Sequence, residues 1–278
     1  MTQPRRIAYA NQKGGVGKTM TVLGVASAVM NYLMELERLG RRDETDGGSV
    51  LVVDCDPQAN ATKGLGVDPS SDIPTVADVV RPTDPVPLLE AIVPTRWDFV
   101  DLIAANSALA NSPKLGPEVV FNLDVAFEGI DLSMYRGVLI DTSPTLGDLL
   151  FLPLCAADEL VIVTEPAVDS VSGTGELVTT AERIKKRSNP RLELTKIIIN
   201  GEAAQPTREN KFRKEELRQA FGDLVSPHVV RRYATRGDAH SARTPIHLFS
   251  GDKSAYFRGI YDDLAREQGL IPNREAAA

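Results

Sequence analysis

Short runs of consecutive apolar residues recur along the chain, and they alternate with longer stretches in which apolar residues return every three or four positions. The short runs are typical of strands buried on both faces, and the longer stretches of helices packed by one side against a sheet. Their alternation predicts an α/β fold with a largely parallel, twisted sheet flanked by helices. The predicted strands are Ile7–Ala10, Val50–Asp54, Phe99–Ala104, Val138–Asp141, Leu160–Thr164, Lys196–Asn200 and Ser226–Arg231.

Three helices are predicted with defined bounds: Lys18 to Leu39, Arg208–Phe221 and Ser254–Gln268. In the first, the apolar positions from Val22 to Leu36 follow helical spacing, so that face belongs to the core. No internal repeat or linker interrupts the pattern, and a chain of 278 residues can bury a sizeable core as one unit. We therefore expect a single domain over 1–278, with 273–278 as a frayed tail.

A glycine-rich segment directly follows the first predicted strand. It reads Gln12-Lys13-Gly14-Gly15-Val16-Gly17-Lys18-Thr19. The glycines let successive backbone N–H groups turn toward a polyanion, and the helix beginning near Lys18 adds its positive end. Lys18 is then placed to reach β- and γ-phosphate oxygens, and the Thr19 hydroxyl to ligate Mg²⁺. A plain strand-to-helix turn is the alternative, but Lys-Thr at the helix start favours nucleotide binding.

This segment departs from the ordinary phosphate-binding loop in one respect. The usual pattern, G-x-x-x-x-G-K-[ST], would require glycine where the chain has Gln12. The form x-K-G-G-x-G-K-T fits instead, and it places a second lysine, Lys13, in the loop.

Three aspartates end two of the predicted strands. Asp54 and Asp56 are two residues apart at the end of Val50–Asp54, a spacing that points both side chains to one face of a strand, and Asp141 ends Val138–Asp141. An aspartate at a strand end is often a helix cap or turn residue. Because parallel strands present their carboxyl ends at one edge, where ligands bind, we expect all three to converge on the glycine-rich loop.

Together these motifs give the chain a family resemblance. The Lys13 loop, Asp-Cys-Asp-Pro-Gln-Ala-Asn-Ala-Thr at 54–62 and Asp-Thr-Ser-Pro-Thr-Leu-Gly at 141–147 resemble the ParA/Soj partition ATPases of the MinD/ParA deviant Walker A group. The resemblance extends from about Arg6 to about Glu267. It implies a single-domain P-loop NTPase that hydrolyses ATP slowly, with Mg²⁺, as an ATP-dependent homodimer.

The resemblance also implies roles for individual residues. Two subunits would sandwich two ATP molecules, with Lys13 crossing to the partner's phosphates. Asp56 would position or deprotonate the attacking water, Asp54 would support the Mg²⁺ and water network, and Asp141 would hold Mg²⁺ through water. The implied nucleotide-binding residues are Lys13, Gly14, Gly15, Val16, Gly17, Lys18, Thr19 and Met20, and the implied catalytic residues are Lys13, Lys18 and Asp56.

Some positions differ from the family pattern. Arg41–Gly48 is a polar insertion that reads as a solvated surface loop. Met20 replaces a threonine that commonly follows Lys-Thr, and Ser143 replaces a common proline. Arg231 stands where proline often precedes arginine near the adenine, so we take Asn200, at a strand end, as the candidate adenine contact.

Charge is unevenly distributed in this acidic chain of net charge −7. Residues 183–243 hold 15 of the 31 Lys and Arg but 7 of the 38 Asp and Glu. A solvated, salt-bridged helix face would explain this segment, and so would binding to nucleic-acid phosphates. ParA-like dimers bind DNA non-specifically through this region, so the resemblance favours DNA. The candidate DNA-binding residues are Lys211, Lys214, Arg218, Arg231, Arg232 and Arg236.

Cysteine and histidine add little chemistry. Cys55 and Cys155 lie in apolar contexts and read as reduced and structural, and the three histidines lack metal-site spacing. No signal peptide is visible, and the apolar stretch Leu149 to Ala157 is too short to span a bilayer. We therefore expect a cytoplasmic, nucleoid-associated protein.

The function implied by the resemblance is DNA partition, with hydrolysis and release from DNA stimulated by a ParB-like centromere-binding protein. One alternative is a MinD-like membrane-associated ATPase, which would need a basic amphipathic C-terminal helix. Ser254–Gln268 carries acidic residues as well as aromatic ones, so core packing is the better interpretation. A second alternative is a ParA-like positioning factor for a protein cargo, which the sequence leaves open.

Overall fold

The computed structural model describes residues 3–41, 48–144 and 147–273. Eight strands in these ranges form one sheet in the order β3-β4-β2-β5-β1-β6-β7-β8, in which β3 is antiparallel to β4 and the other pairs are parallel. The strands are β1 Arg6–Ala10, β2 Ser49–Cys55, β3 Ile92–Pro94, β4 Val100–Ile103, β5 Tyr135–Thr142, β6 Glu159–Thr164, β7 Glu193–Glu202 and β8 Val230–Arg231.

Helices cover both faces of this sheet, because alternate residues of the central strands enter two separate apolar cores. In β1, for example, Ile7 and Tyr9 pack on one side, and Ala8 and Ala10 on the other. The α-helices are α1 Lys18–Arg38, α2 Asn60–Gly64, α3 Val76–Val79, α4 Val119–Phe127, α5 Asp148–Ala156, α6 Ser170–Arg187, α7 Arg208–Phe221, α8 Ala234–Ser241 and α9 Ser254–Glu267.

The predicted fold class is confirmed, and all seven predicted strands are present. The short strand β3 was missed, since it has three residues, ends in Pro94 and lies at a sheet edge, where proline is tolerated. The strand predicted over Ser226–Arg231 was too long, because Pro227 lies within it and the Ser226 hydroxyl accepts a hydrogen bond from His228 N. Residues 42–47 of the predicted surface loop and 274–278 of the predicted tail lie outside the described residues.

Two helices bear on the question of a membrane. Among the described residues, α1 alone has the length and mean hydropathy (1.2) to cross one, but 61% of that apolar window is buried within the protein. The apolar side of α9, which includes Phe257, Tyr261 and Leu264, is also buried, and α9 packs against α1. Both helices therefore place their apolar faces in the core.

Candidate active site

The glycine-rich loop joins β1 to α1 at the centre of the sheet. Gly17 has φ +92°, in the left-handed region that favours glycine, and its carbonyl accepts the hydrogen bonds of Thr21 that begin α1. Asn11 ties the start of the loop to β6. Its Oδ1 accepts a hydrogen bond from Lys13 N at 2.8 Å, and its Nδ2 donates one to the Val163 carbonyl in β6 at 2.7 Å. Gly14 and Gly15 are exposed, so the loop backbone faces solvent at the carboxyl edge of the sheet.

Lys18 lies inside this loop. The residue is 5% exposed, and its Nζ donates to the carbonyls of Asn11 at 3.2 Å and Lys13 at 3.5 Å. Burial lowers the pKa of Lys18, while the charges of Asp141 and Asp56 act in the opposite direction. Lys18 is thus a partly desolvated cation whose ammonium group lies against the loop backbone.

Asp54 is fully buried, and both of its carboxylate oxygens accept hydrogen bonds from the protein. Its Oδ1 accepts from Asp56 N at 3.1 Å, and its Oδ2 accepts from Thr62 N at 2.9 Å and the Thr62 hydroxyl at 2.8 Å. Burial raises the pKa of Asp54 to about 6, against the effect of the hydrogen bonds from Thr62. These contacts tie the end of β2 to α2, so Asp54 fixes the position of the turn that carries Asp56.

Asp56 sits at the first turn after β2 and is 7% exposed. Its Oδ1 accepts from Gln58 N at 3.0 Å, and its carbonyl accepts from the N–H of Ala59, which has φ +53°. Asp56 contributes electrostatically to the pKa values of Lys18, Asp54 and Asp141. The structure therefore brings the three predicted aspartates and the loop lysine into one cluster.

Asp141 differs from the other two aspartates because, by distance and angle, neither of its oxygens accepts a hydrogen bond from a described residue, although Asp141 is fully buried. Burial, and after it the negative charge of Asp54, raises the pKa of Asp141 well above its usual range. The Thr19 hydroxyl and the positive charge of Lys18 act in the opposite direction and favour the ionised form. A buried carboxylate without partners beside a hydroxyl fits a cation held directly or through its water ligands. No group of three or more His, Cys, Asp or Glu side chains suited to metal binding occurs within the described residues.

Lys13 takes a different position from Lys18. Its side chain is 59% exposed at the lip of the loop, and its Nζ lies 3.3 Å from Oε2 of Glu165, the residue that follows β6. The loop thus presents one lysine inward and the other outward.

Asn200, the candidate adenine contact, is 1% exposed near the end of β7 and packs on the loop. Its Nδ2 donates to the Val16 carbonyl, and its Oδ1 accepts from Arg236 Nη1 at 2.7 Å. Arg236 also donates to the Tyr261 hydroxyl at 3.3 Å. Arg236, predicted from charge to contact DNA, therefore lies in a network that reaches the glycine-rich loop.

The other candidate DNA-binding residues divide into two groups. Lys211 and Arg218 are exposed on α7, and neither makes an ion pair with a described residue. The second group pairs with carboxylates, which a count of charges along the sequence does not reveal. It consists of Lys214, Arg231 and Arg232. Lys214 Nζ lies 2.5 Å and Arg231 Nε 3.5 Å from the buried Glu202, and Arg232 Nη2 lies 2.7 Å from Glu165.

Sequence reasoning missed Glu165 and Glu202. Glu165 directly follows the predicted strand Leu160–Thr164, so the rule that identified Asp54 and Asp141 would have found it. Glu202 ends β7 in the structure but lies two residues beyond the predicted strand, which stopped at Asn200, so the same rule would not have reached it.

The cysteines and histidines have structural surroundings. Both cysteines are buried and free, and burial raises the pKa of each thiol. His247 Nδ1 lies 2.8 Å from Ser27 Oγ, and its Nε2 lies 3.1 Å from Asp262 Oδ1, an arrangement that mimics a hydrolase triad. Ser27 is fully buried in α1, so no substrate reaches it, and the set instead ties α1 to α9.

Comparisons with known proteins agree with this geometry. The model of the AAA_31 family, described as an AAA domain, matches residues 4–194. The chain is 33% identical over 273 residues to the chromosome-partitioning ATPase Soj of Thermus thermophilus, covering 95% of this chain and 97% of Soj. It is 30% identical to the chromosome partitioning protein ParA of Caulobacter vibrioides, covering 95% of both chains.

Among solved structures, a complex of a McdA variant from Cyanothece with ATP superimposes with a TM-score of 0.80 at 15% identity, covering 98% of this chain and 99% of that one. This likeness concerns the fold. The matched family model, the full-length relatives, and a loop with one buried and one outward lysine above three buried aspartates lead to one conclusion: the chain belongs to the ParA/Soj family of P-loop ATPases.

Proposed function

We propose that this protein is a DNA-partitioning ATPase whose ATP-bound homodimer binds DNA non-specifically and leaves it after hydrolysis. The observation that carries the proposal is the division between the two loop lysines. Lys18 is buried against its own loop, whereas Lys13 is largely exposed and oriented away from it. A lysine in that position is available to the nucleotide of a second subunit.

ATP and Mg²⁺ are the cofactors, and Mg²⁺ supplies charge neutralisation at the β- and γ-phosphate oxygens. Thr19 and Asp141 would hold the ion, since the buried Asp141 oxygens accept no hydrogen bond of normal geometry from the described residues. Asp54, with its three hydrogen bonds, keeps the surrounding network in place. Gly14, Gly15, Val16, Gly17 and Met20 complete the phosphate site around Lys18.

The catalytic roles follow from charge and position. Lys18 stabilises negative charge on the transferred phosphoryl group, and Lys13 of the second subunit adds to that stabilisation. Asp56, at a turn fixed by Asp54, orients or deprotonates the attacking water. Hydrolysis consequently depends on dimerisation.

DNA binding rests mainly on α7, where Lys211 and Arg218 are exposed and unpaired with described residues. Lys214, Arg231 and Arg232 add positive charge beside them but share it with Glu202 and Glu165. Contacts of this kind reach phosphates rather than base edges, so binding is independent of sequence. A ParB-like partner bound at a centromere-like site would stimulate hydrolysis and release.

The placement of α9 favours this proposal over a MinD-like membrane role. Its apolar side is buried against α1, which leaves no free apolar face on α9 to lie on lipid. We propose a cytoplasmic, nucleoid-associated protein.

Fluorescence anisotropy on two unrelated DNA duplexes, with ATP, ADP or no nucleotide, tests the proposal. We expect the wild type to bind both duplexes with ATP alone, and binding to weaken steeply with salt. Lys13→Ala should abolish the ATP-dependent binding, whereas Arg38→Ala, which removes an exposed cation at the far end of α1, should not. If Lys13→Ala retained ATP-dependent DNA binding, the cross-subunit mechanism would be refuted.

A further inference from the structure

Glu165 is a carboxylate shared by two cations of different predicted function. Its side chain is 17% exposed, its Oε2 faces Lys13 Nζ at 3.3 Å, and its Oε1 accepts from Arg232 Nη2 at 2.7 Å. These contacts join residues that are 152 and 67 positions apart in the chain. One carboxylate thus connects the loop lysine to the basic segment after β8.

The surroundings of Glu165 are shaped to hold it in place. Gly201 has φ +77°, and a Cβ there would lie 3.0 Å from Glu165 Oε1 and 3.4 Å from Arg232 Nη2, so glycine leaves room for the pair. The Ser170 hydroxyl donates to the Glu165 carbonyl and accepts from Ala167 N, which fixes the turn between β6 and α6. In that turn the Pro166 carbonyl accepts from Asn210 Nδ2 at 3.2 Å, so the turn is also tied to α7.

We propose that Glu165 is a positioning residue that holds Lys13 in its own subunit, and thereby sets the nucleotide concentration at which the subunits dimerise. This inference rests on the proposed function, in which Lys13 crosses to the partner's nucleotide. Lys13 cannot neutralise Glu165 and reach a second subunit at the same time. Every dimerisation event therefore breaks the Lys13–Glu165 pair.

Arg232 allows the proposal to be tested by the direction in which dimerisation shifts. Because it shares the carboxylate, Arg232 weakens the hold of Glu165 on Lys13. Removing Glu165 should release Lys13 and favour the dimer, whereas removing Arg232 should leave Lys13 as the sole partner and disfavour it. A residue that merely maintained the local fold would not give opposite shifts.

Lys13 also has space to leave. Lys13 and Glu165 line a cavity of about 140 Å³ together with Asn11, Thr164 and Thr174. Since the Lys13 side chain is 59% exposed, it can leave Glu165 for solvent. Because the pair is partly exposed, the effect on dimerisation should be modest, about two- to fivefold in the half-point.

The test measures the dimer fraction by mass photometry as a non-hydrolysable ATP analogue is titrated with Mg²⁺ in the absence of DNA. Glu165→Gln should lower the half-point about two- to fivefold and Arg232→Gln should raise it, while the double variant should behave as Glu165→Gln. Glu159→Gln is the matched control, since Glu159 pairs with Arg5 at the opposite end of β6. An unchanged or raised half-point for Glu165→Gln, or shifts of the same sign for both single variants, would overturn the proposal.

Two further measurements separate this inference from the proposed function. Affinity of the monomer for a fluorescent ATP analogue should be the same for Glu165→Gln and wild type, which shows that the phosphate site is intact. If the wild type fails to dimerise, or Lys13→Ala dimerises equally well, the proposed function fails. If both behave as proposed and Glu165→Gln does not shift the half-point, the role of Glu165 alone is refuted.

Discussion

The carboxyl edge of the sheet has two unlike flanks. On one flank, which we call the pocket floor, Lys18, Asp54, Asp56 and Asp141 at the ends of β1, β2 and β5 are buried. On the other, which we call the cationic rim, basic side chains lie in or near solvent around the partly buried Glu165 and the buried Glu202. The basic residues of the rim are Lys13, Lys211, Lys214, Arg218, Arg231 and Arg232. Arg232 in the rim is 69% exposed and Lys13 59%, whereas Lys18 in the floor is 5% exposed.

The difference shows where the protein is pre-organised and where it can switch. In the floor, desolvation shifts pKa values and strengthens electrostatic interactions with a reacting phosphoryl group, so the groups must be held in fixed positions. In the rim, solvent screens the exposed ion pairs, such as Lys13–Glu165, and each of these is weak, so their partners can exchange at small cost. Under the proposed function, the floor would carry out hydrolysis and the rim would control assembly.

The largest effect is expected where the loop meets the neighbouring strand. Gly17→Ala would force a Cβ into the Asn200 amide at φ +92°, and should lower the free energy of unfolding by about 2–4 kcal/mol. It should also abolish the rise in melting temperature that Mg²⁺ and ATP produce. Gly15→Ala is the control, because φ is +78° there but no atom of the described residues outside the adjoining positions lies within 4 Å of the new Cβ. Equal losses in both variants would show that backbone strain, and not contact with Asn200, decides the effect.

An intermediate effect is expected at Glu202, the buried member of the rim. Its side chain is 2% exposed, and Glu202→Gln would leave Lys214, 17% exposed, without its counter-charge. We expect a loss of about 1–2 kcal/mol in urea unfolding, less than for a fully buried pair because Lys214 retains some solvent.

Glu193→Gln provides the comparison, since Glu193 is 61% exposed and also pairs with a lysine, Lys185. That variant should change stability by less than about 0.5 kcal/mol. If Glu202→Gln were as mild, the rim would be uniformly weak, and burial would not distinguish its members.

The smallest effects are expected for single cations on α7. Lys211→Ala and Arg218→Ala should each weaken ATP-dependent DNA binding several-fold, and each should reduce the slope of log affinity against log salt by about 1. Arg213→Ala is a matched variant in the same helix, and it should have less effect because Glu209 and Glu216 already neutralise Arg213. A slope unchanged in all three variants would remove α7 from the DNA interface.

The floor could be predicted from the sequence because it depends on local rules. The Gly-Lys-Thr turn and aspartates at strand ends identify Lys18, Asp54 and Asp141, and parallel strands bring their carboxyl ends together. Even so, the sequence does not distinguish Asp54, which accepts three hydrogen bonds, from Asp141, which accepts none of normal geometry from the described residues. That difference depends on where Thr62 packs.

The rim could not be predicted to the same extent. Counting charge in 183–243 correctly marked a basic segment, but it could not show that Glu165 and Glu202 pair with several of its cations. Such pairs join residues that are separated in the chain, and a pattern of residue types along the sequence does not show which side chains meet in the fold. Arg236 illustrates the point, since it reads as a surface cation and lies on Asn200 beside the loop.

The order of the strands has a consequence for how such a protein diverges. β1 separates the two flanks, and the chain completes β2 to β5 on one side before it builds β6 to β8 on the other. The match to the family model ends at residue 194, two residues into β7. The four floor residues all precede residue 194, so substitutions in the last third of the chain can alter the basic side chains of α7 and of the segment after β8 without replacing any residue of the pocket floor.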